Sequence, residues 1–179
     1  LLILLSQKSD PVAIKAASVA SNLQPMVRNN RPIQRTTHLS YIRDKLKHDI
    51  TQNNISVDDI SGGVRIIVFG SQLFKPSSAK LTKQKEITIA NIISALRDIP
   101  GFIQITGHTD DIPIRTLQFP SNWELSSKRA DEIVKLFQTH YPDREIVGEG
   151  VADSAPIVPN SSKENRAINR RIEINLYTI

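Results

Sequence analysis

The chain has 179 residues, a net charge of +5 and no cysteine. This length predicts one domain with appendages, and 39% hydrophobic with 23% charged residues indicates a globular protein with one buried core. The absence of cysteine excludes disulfides and cysteine-ligated metal sites. Basic residues concentrate in residues 28–47, but only 5% of residues are aromatic and no nucleic-acid motif accompanies the charge, so we expect no nucleic-acid partner.

Residues 1–54 are predicted to be a helical lead-in and linker. The chain opens on the apolar run Leu1–Leu5, which we interpret as the end of a membrane helix, with a frayed terminus as the alternative. Apolar residues then recur at helical spacing over 9–23 and again over 37–52, with a proline-containing break between them. We expect both helices to lie outside the core.

Residues 55–179 are predicted to form a compact α+β domain with the architecture of a two-layer sandwich. Helical periodicity predicts helices over 79–98 and 121–140. Alternating apolar residues predict strands over 64–69, 102–106, 144–149 and 172–176. Capping boxes are predicted at Ser121-x-x-Glu124 and Ser161-x-x-Glu164. This βαβαββ-like order implies a mixed sheet with the helices packed on one face.

Two charged residues are candidates for a ligand site. Asp110 follows a predicted strand, at the end where α/β units commonly place ligands, and Arg129 lies in the next predicted helix. A carboxylate and a guanidinium that face one cleft suit a ligand with its own ammonium and carboxylate. The alternatives are an Asx turn for Asp110 and a surface ion pair with Asp131 or Glu132 for Arg129.

Metal binding and catalysis are disfavoured. His108 with Asp110 and Asp111 does not have the spacing of a known metal motif. Nothing places Glu124 and Glu149 across a sugar, and no nucleophile elbow or Ser–His–Asp order is present. We therefore predict a binding protein that is not an enzyme and uses no metal and no cofactor.

Four blocks of sequence occur in order along the second half of the chain. They are Gly107-His108-Thr109-Asp110, Asn122-x-x-Leu125-Ser126-x-x-Arg129-Ala130, Gly148-Glu149-Gly150, and Asn165-Arg166 with Asn169-Arg170-Arg171-Ile172-Glu173-Ile174. Together they resemble the OmpA-like peptidoglycan-binding domain over roughly residues 64–178. The resemblance implies a periplasmic module that binds the diaminopimelate residue of the peptidoglycan stem peptide without covalent chemistry.

The resemblance also implies roles for individual residues. Asp110 would receive the diaminopimelate ammonium and Arg129 its carboxylate. Four further residues would contribute to the pocket, the last through backbone contacts of its segment: Thr109, Asn122, Leu125 and Phe74. A histidine is common in this turn of the family, which implies a structural hydrogen bond for His108.

The insert over residues 111–124 is similar to that of two inner-membrane groups, the MotB flagellar stator proteins and the TssL proteins of type VI secretion. The segment Ser9-Asp10-Pro11-Val12 favours TssL, while a stator protein and another envelope anchor stay open. Phe119 and Trp123 are expected to fold the insert onto the domain.

The implied location is the periplasm of a Gram-negative bacterium, with an inner-membrane anchor. The implied partners are secretion-complex subunits, and homo-oligomerisation is left open.

Overall fold

The computed structural model describes residues 31–70 and 73–178, and of residues 31–36 it describes the backbone alone. Contacts between residues divide the chain into a unit of residues 1–34 and a unit of residues 35–179. Every side chain discussed below belongs to the second unit. The apolar start and the helix predicted over 9–23 lie outside the described residues.

The described residues form an α+β fold, as the sequence predicted. The helices are α1 (Arg31–Lys45), α2 (Lys47–Thr51), α3 (Lys83–Leu96), α4 (Asn122–His140) and α5 (Lys163–Asn169). The strands are β1 (Ile55–Ile60), β2 (Gly63–Phe69), β3 (Phe102–Gly107), β4 (Ile146–Gly150) and β5 (Arg171–Tyr177). Among the described helices, none combines the length and the apolar character needed to span a bilayer.

The five described strands form one mixed sheet in the order β1-β2-β5-β3-β4. Only β3 and β4 run parallel, because α4 connects them as a crossover, whereas the other neighbours are antiparallel. The last strand therefore lies in the middle of the sheet. Strand β1 was not predicted from the sequence; it pairs with β2 through a tight turn at Gly62, whose φ of 89° suits glycine.

One hydrophobic cluster joins the helices to a single face of the sheet. Alternate residues of the central strands point into it, including Ile105 of β3 and Ile174 of β5. Against them pack the predicted stripe of α3 and the inward face of α4, which includes Ile133 and Phe137. The predicted mixed sheet with its helices on one face is confirmed.

The helix expected over 37–52 forms α1 and α2, and it contributes to this core. Ile42 and Leu46 are fully buried in the main cluster. Asp49 of α2 is also buried, and its carboxylate accepts hydrogen bonds from Thr88 Oγ1 at 3.2 Å and Asn91 Nδ2 at 2.9 Å. The expectation that this helix lies outside the core was wrong, because its apolar residues belong to the main hydrophobic cluster. The functional division near residue 55 stays a prediction.

The helix starts show how local sequence positions α4 and α5. Ser121 is the N-cap of α4: its hydroxyl accepts from the Trp123 amide at 3.2 Å and donates to the Glu124 carboxylate. The second capping box was misplaced by one residue. Ser162, rather than Ser161, caps α5 by accepting from the Asn165 amide at 3.0 Å.

Candidate functional site

All six residues predicted for the site line one cavity. It has a volume of about 420 Å³ and lies at the C-terminal end of β3, beside the first turns of α4. The predicted residues among its walls are Phe74, Thr109, Asp110, Asn122, Leu125 and Arg129. The structure therefore brings together side chains from three separate segments of the chain, while their roles in binding stay predictions.

Asp110 is buried, and both of its carboxylate oxygens have partners. Oδ1 accepts a hydrogen bond from the Ile112 amide at 3.1 Å, which is the Asx turn that the sequence offered as an alternative. Oδ2 lies 2.5 Å from Arg170 Nη1 in an ion pair. The carboxylate is thus fixed by the turn on one side and by a guanidinium on the other, and it faces the cavity in one defined orientation.

A chain of hydrogen bonds connects this turn to α4. The Thr109 amide donates to the Ala152 carbonyl at 2.9 Å, and the Ala152 amide donates to Ser126 Oγ at 3.1 Å. Ser126 is fully buried on α4, one turn before Arg129. The serine of the second sequence block therefore positions the loop that precedes Asp110.

Two glycines allow α4 to approach the ends of β3 and β4. A Cβ at Gly107 would lie 2.2 Å from the Ser126 carbonyl oxygen, and one at Gly150 would lie 2.1 Å from the Ser127 amide nitrogen. Any larger residue would have to push the helix away from the strands. The glycines in the first and third blocks thus set the spacing between the strand ends and the helix that carries Arg129.

Arg129 is held by its Nε and by the face of its guanidinium. Nε donates to the Ser78 carbonyl at 3.0 Å, and the guanidinium carbon lies 4.8 Å from the centre of the Phe74 ring. Burial lowers the pKa of Arg129 to about 10, with a further lowering by the charge of Arg170 and an opposing effect of Asp110. The surface ion pair considered from sequence is not the arrangement found.

Asn122 and Leu125 complete the wall on the α4 side. Asn122 Nδ2 donates to the carbonyls of Asp110, at 3.3 Å, and Ile112, at 3.0 Å, so it braces the loop after β3. Leu125 is buried in a small cluster with Phe119 from the insert. Phe119 folds the insert onto the domain as expected, whereas Trp123 does not, since 53% of its surface is exposed.

Arg170 belongs to the fourth block, but no role was predicted for it from the sequence. It stands at the C-terminal cap of α5, directly before β5. Because β5 pairs antiparallel with β3, the start of β5 lies beside the end of β3, where Asp110 follows. The match to the block was the only sequence signal, since the ion pair spans 60 positions of the chain.

His108 does not make the structural hydrogen bond that the resemblance implied. Both ring nitrogens are buried without a hydrogen-bond partner, and Nε2 lies 3.6 Å from Glu173 Oε1. Burial lowers the pKa of His108 to about 4, the charge of Arg171 lowers it further, and Glu173 opposes both effects. No group of three potential metal ligands occurs within residues 31–70 and 73–178.

Of the residues that the structure describes, three with charged side chains line the cavity: Asp110, Arg129 and Arg170. Phe74, Leu125 and Ile114 supply apolar walls between them. Fixed charges of both signs in a partly apolar cleft can orient a small ligand that carries charges of both signs. The arrangement is suited to binding.

Comparison with protein families matches residues 73–170 to the OmpA family. Among curated proteins, the chain is 30% identical over 155 residues to the uncharacterized protein YtxE of Bacillus subtilis, and 30% identical over 139 residues to Motility protein B of that species. These alignments cover 86% and 75% of this chain, and 64% and 53% of the relatives. The chain thus spans between half and two thirds of the length of these relatives.

Two solved structures have similar folds. One is the cell wall anchor of the T6SS from Pseudomonas aeruginosa, with 34% identity and a TM-score of 0.73, covering 77% of this chain and 97% of that one. The other is a putative MotB-like protein from Desulfovibrio vulgaris, with 25% identity and a TM-score of 0.75, covering 82% and 95%. The similarity extends over nearly the full length of both structures.

Proposed function

The chain belongs to the OmpA family, and on this premise we propose that it binds peptidoglycan without covalent chemistry, through the diaminopimelate headgroup of the stem peptide. The observation that carries the proposal is the single cavity whose lining includes both Asp110 and Arg129. The headgroup of diaminopimelate has an ammonium and a carboxylate on one carbon, and these two groups match the two side chains in charge.

Both side chains of the proposed contacts can form further hydrogen bonds. A carboxylate offers about four lone-pair positions, so Asp110 can accept from the ligand ammonium while it keeps its bonds to Ile112 and Arg170. The terminal nitrogens of Arg129 make no hydrogen bond to any residue that the structure describes, since the bond found uses Nε. They are available to a ligand carboxylate in a bidentate arrangement.

Charge contacts of this kind orient a ligand more than they bind it tightly. One contact at ~4 Å and an effective dielectric constant of ~20 contributes about 4 kcal/mol before the cost of desolvation. Several copies of the domain on one polymer raise the effective concentration and hold an assembly in place. Because of this, a single domain needs only modest affinity.

At the level of the assembly, the proposed role is to anchor an inner-membrane type VI secretion complex to the cell wall from the periplasm. The 34% identity with the P. aeruginosa cell wall anchor supports this role. The match to Motility protein B favours the alternative of a flagellar stator anchor. Deleting the gene in its native bacterium separates the two, because loss of effector secretion supports the first and loss of swimming supports the second.

Purified sacculi distinguish an anchor from a wall hydrolase. The domain is incubated with sacculi and centrifuged, and the pellet is assayed for protein while the supernatant is assayed for released muropeptides. The proposal predicts protein in the pellet and no muropeptides in solution. Asp110→Ala and Arg129→Ala should each remain in the supernatant, whereas Lys128→Gln, a charge change outside the cavity, should pellet like the unmodified domain. Soluble muropeptides, or pelleting of an Asp110→Ala, Arg129→Ala double variant, would contradict it.

A further inference from the structure

The charges that line the cavity do not balance. Among the described residues of the lining, two carry a guanidinium, Arg129 and Arg170, and one carries a carboxylate, Asp110. Asp110 is paired with Arg170 at 2.5 Å, so its charge is already matched within the protein. Among the charged groups that the structure describes in this lining, the guanidinium of Arg129 is left without a carboxylate partner.

Arg129 is half-buried, and little in the protein neutralises its charge. No carboxylate among the described residues forms an ion pair with it, and its hydrogen bond goes to a neutral carbonyl, that of Ser78. Its other close partner is the face of the Phe74 ring. The depressed pKa of Arg129 has the same origin, namely lost solvation and the nearby charge of Arg170. A cation in this position gains from an anion that enters the cavity.

From this geometry we infer that the cavity selects the ionised carboxylate of its ligand and rejects a ligand in which that group is a carboxamide. The inference rests on the proposed function, and it makes amidation of diaminopimelate in the cell wall the property that controls binding at this site. Wall polymers with amidated diaminopimelate would be poor ligands for this domain, whereas polymers with the free acid would be good ones.

The chemical reason is that a carboxamide has nearly the shape of a carboxylate but neither its charge nor its second acceptor. A guanidinium fork donates two parallel hydrogen bonds, and a carboxylate accepts both. A carboxamide accepts one and turns its NH₂ group toward the other donor. One charge-assisted hydrogen bond is lost and two donors face each other, so affinity should fall about ten- to a hundredfold.

Two synthetic stem peptides test the inference. They are identical except that the diaminopimelate headgroup carries a free carboxylate in one and a carboxamide in the other, and each is titrated calorimetrically into the domain. We expect the amidated peptide to bind at least about tenfold more weakly. Arg129→Gln should bind both peptides weakly and with similar affinity. Lys128→Gln is the matched control: it removes one positive charge from the adjacent position of α4, outside the cavity lining, and should keep the full preference.

The outcomes separate this inference from the proposed function. Equal affinity of the unmodified domain for both peptides would overturn the inference and leave stem-peptide binding standing. Binding of neither peptide would overturn the proposed function and the inference with it. Loss of the preference in Lys128→Gln would show that overall charge, rather than the Arg129 contact, discriminates between the peptides, and would also overturn the inference.

Discussion

Asp110 Oδ2 and Arg170 Nη1 lie 2.5 Å apart and connect the loop after β3 to the residue that precedes β5. The pair joins two of the four sequence blocks, and both of its residues line the cavity. It holds the Asp110 carboxylate in place before any ligand arrives. The acidic side of the proposed site is therefore preorganised, whereas the terminal nitrogens of Arg129 make no hydrogen bond to any residue that the structure describes.

This pair should be energetically coupled. In a double-mutant cycle of Asp110→Asn and Arg170→Gln, measured by urea unfolding, we expect a coupling free energy of about 0.5–3 kcal/mol, because the carboxylate is buried. The exposed pair Lys128–Glu132 on α4 is the control and should show a coupling of about 0.2–0.5 kcal/mol. Additive effects at Asp110 and Arg170 would mean that the ion pair does not stabilise the loop.

Ser126 is expected to act on the site through the loop that it holds. Ser126→Ala removes the acceptor for the buried Ala152 amide, so we expect a loss of about 1–3 kcal/mol in the free energy of unfolding. Binding of the stem peptide should weaken as well, since Ala152 holds Thr109 in place. The control is Ser127→Ala at the next position. It removes a hydroxyl that makes no hydrogen bond to any described residue. Equal effects of the two variants would contradict this role.

His108 should make the domain less stable in mild acid. Its pKa is lowered to about 4 in the folded state from the ordinary 6.5, so the unfolded chain takes up the proton first as the pH falls. Stability is full above pH 6.5 and is lost progressively as the pH falls toward 4, by roughly 1.4 kcal/mol for each pH unit at most. Urea unfolding between pH 4 and 8 measures this slope.

A variant without the imidazole isolates the effect of His108. His108→Asn should flatten the slope between pH 4 and 6.5, whereas His140→Asn, at an exposed position on α4, should keep it. Arg171 and Glu173, which face the ring, remain in both variants. An unchanged slope in His108→Asn would assign the acid sensitivity to carboxylates elsewhere in the domain.

Two glycine substitutions should differ in their cost. Gly107→Ala would place a Cβ 2.2 Å from the Ser126 carbonyl oxygen, a backbone atom that can move only with α4. We expect a loss of at least about 1–3 kcal/mol in thermal or urea unfolding. At Gly148 the nearest atom is a methyl group of the Val134 side chain, at 2.7 Å, so Gly148→Ala should cost less. The reverse order would mean that α4 is not seated on the end of β3.

Features encoded locally could be predicted from the sequence, and features that depend on sheet order could not. The cap at Ser121 and the apolar stripe of α3 follow from residues close in the chain. Asp110 and Arg129 lie in a βα unit, where the connection itself brings them together. Nothing local indicates that β5 inserts between β2 and β3, and this placement brings Arg170 to the site.

The dependence on tertiary placement also explains the wrong predictions for the helix over residues 37–52 and for Trp123 of the insert. The stripe that includes Ile42 and Leu46 was recognised as helical, but periodicity does not reveal which surface such a stripe covers. Phe119 and Trp123 are both large and aromatic, and only the folded insert shows that the first is buried and the second exposed. A helix at the edge of a domain and an irregular loop depend on tertiary packing for their placement.

The most direct measurement is a calorimetric titration of the domain with two stem peptides, one containing diaminopimelate and the other lysine in its place. Lysine retains the ammonium and lacks the carboxylate that Arg129 is proposed to hold. We predict binding of the diaminopimelate peptide, little binding of the lysine peptide, and loss of binding in Asp110→Asn and in Arg129→Lys, whose point charge cannot form the planar fork. Equal affinity for the two peptides, or undiminished affinity in either variant, would contradict the proposed site.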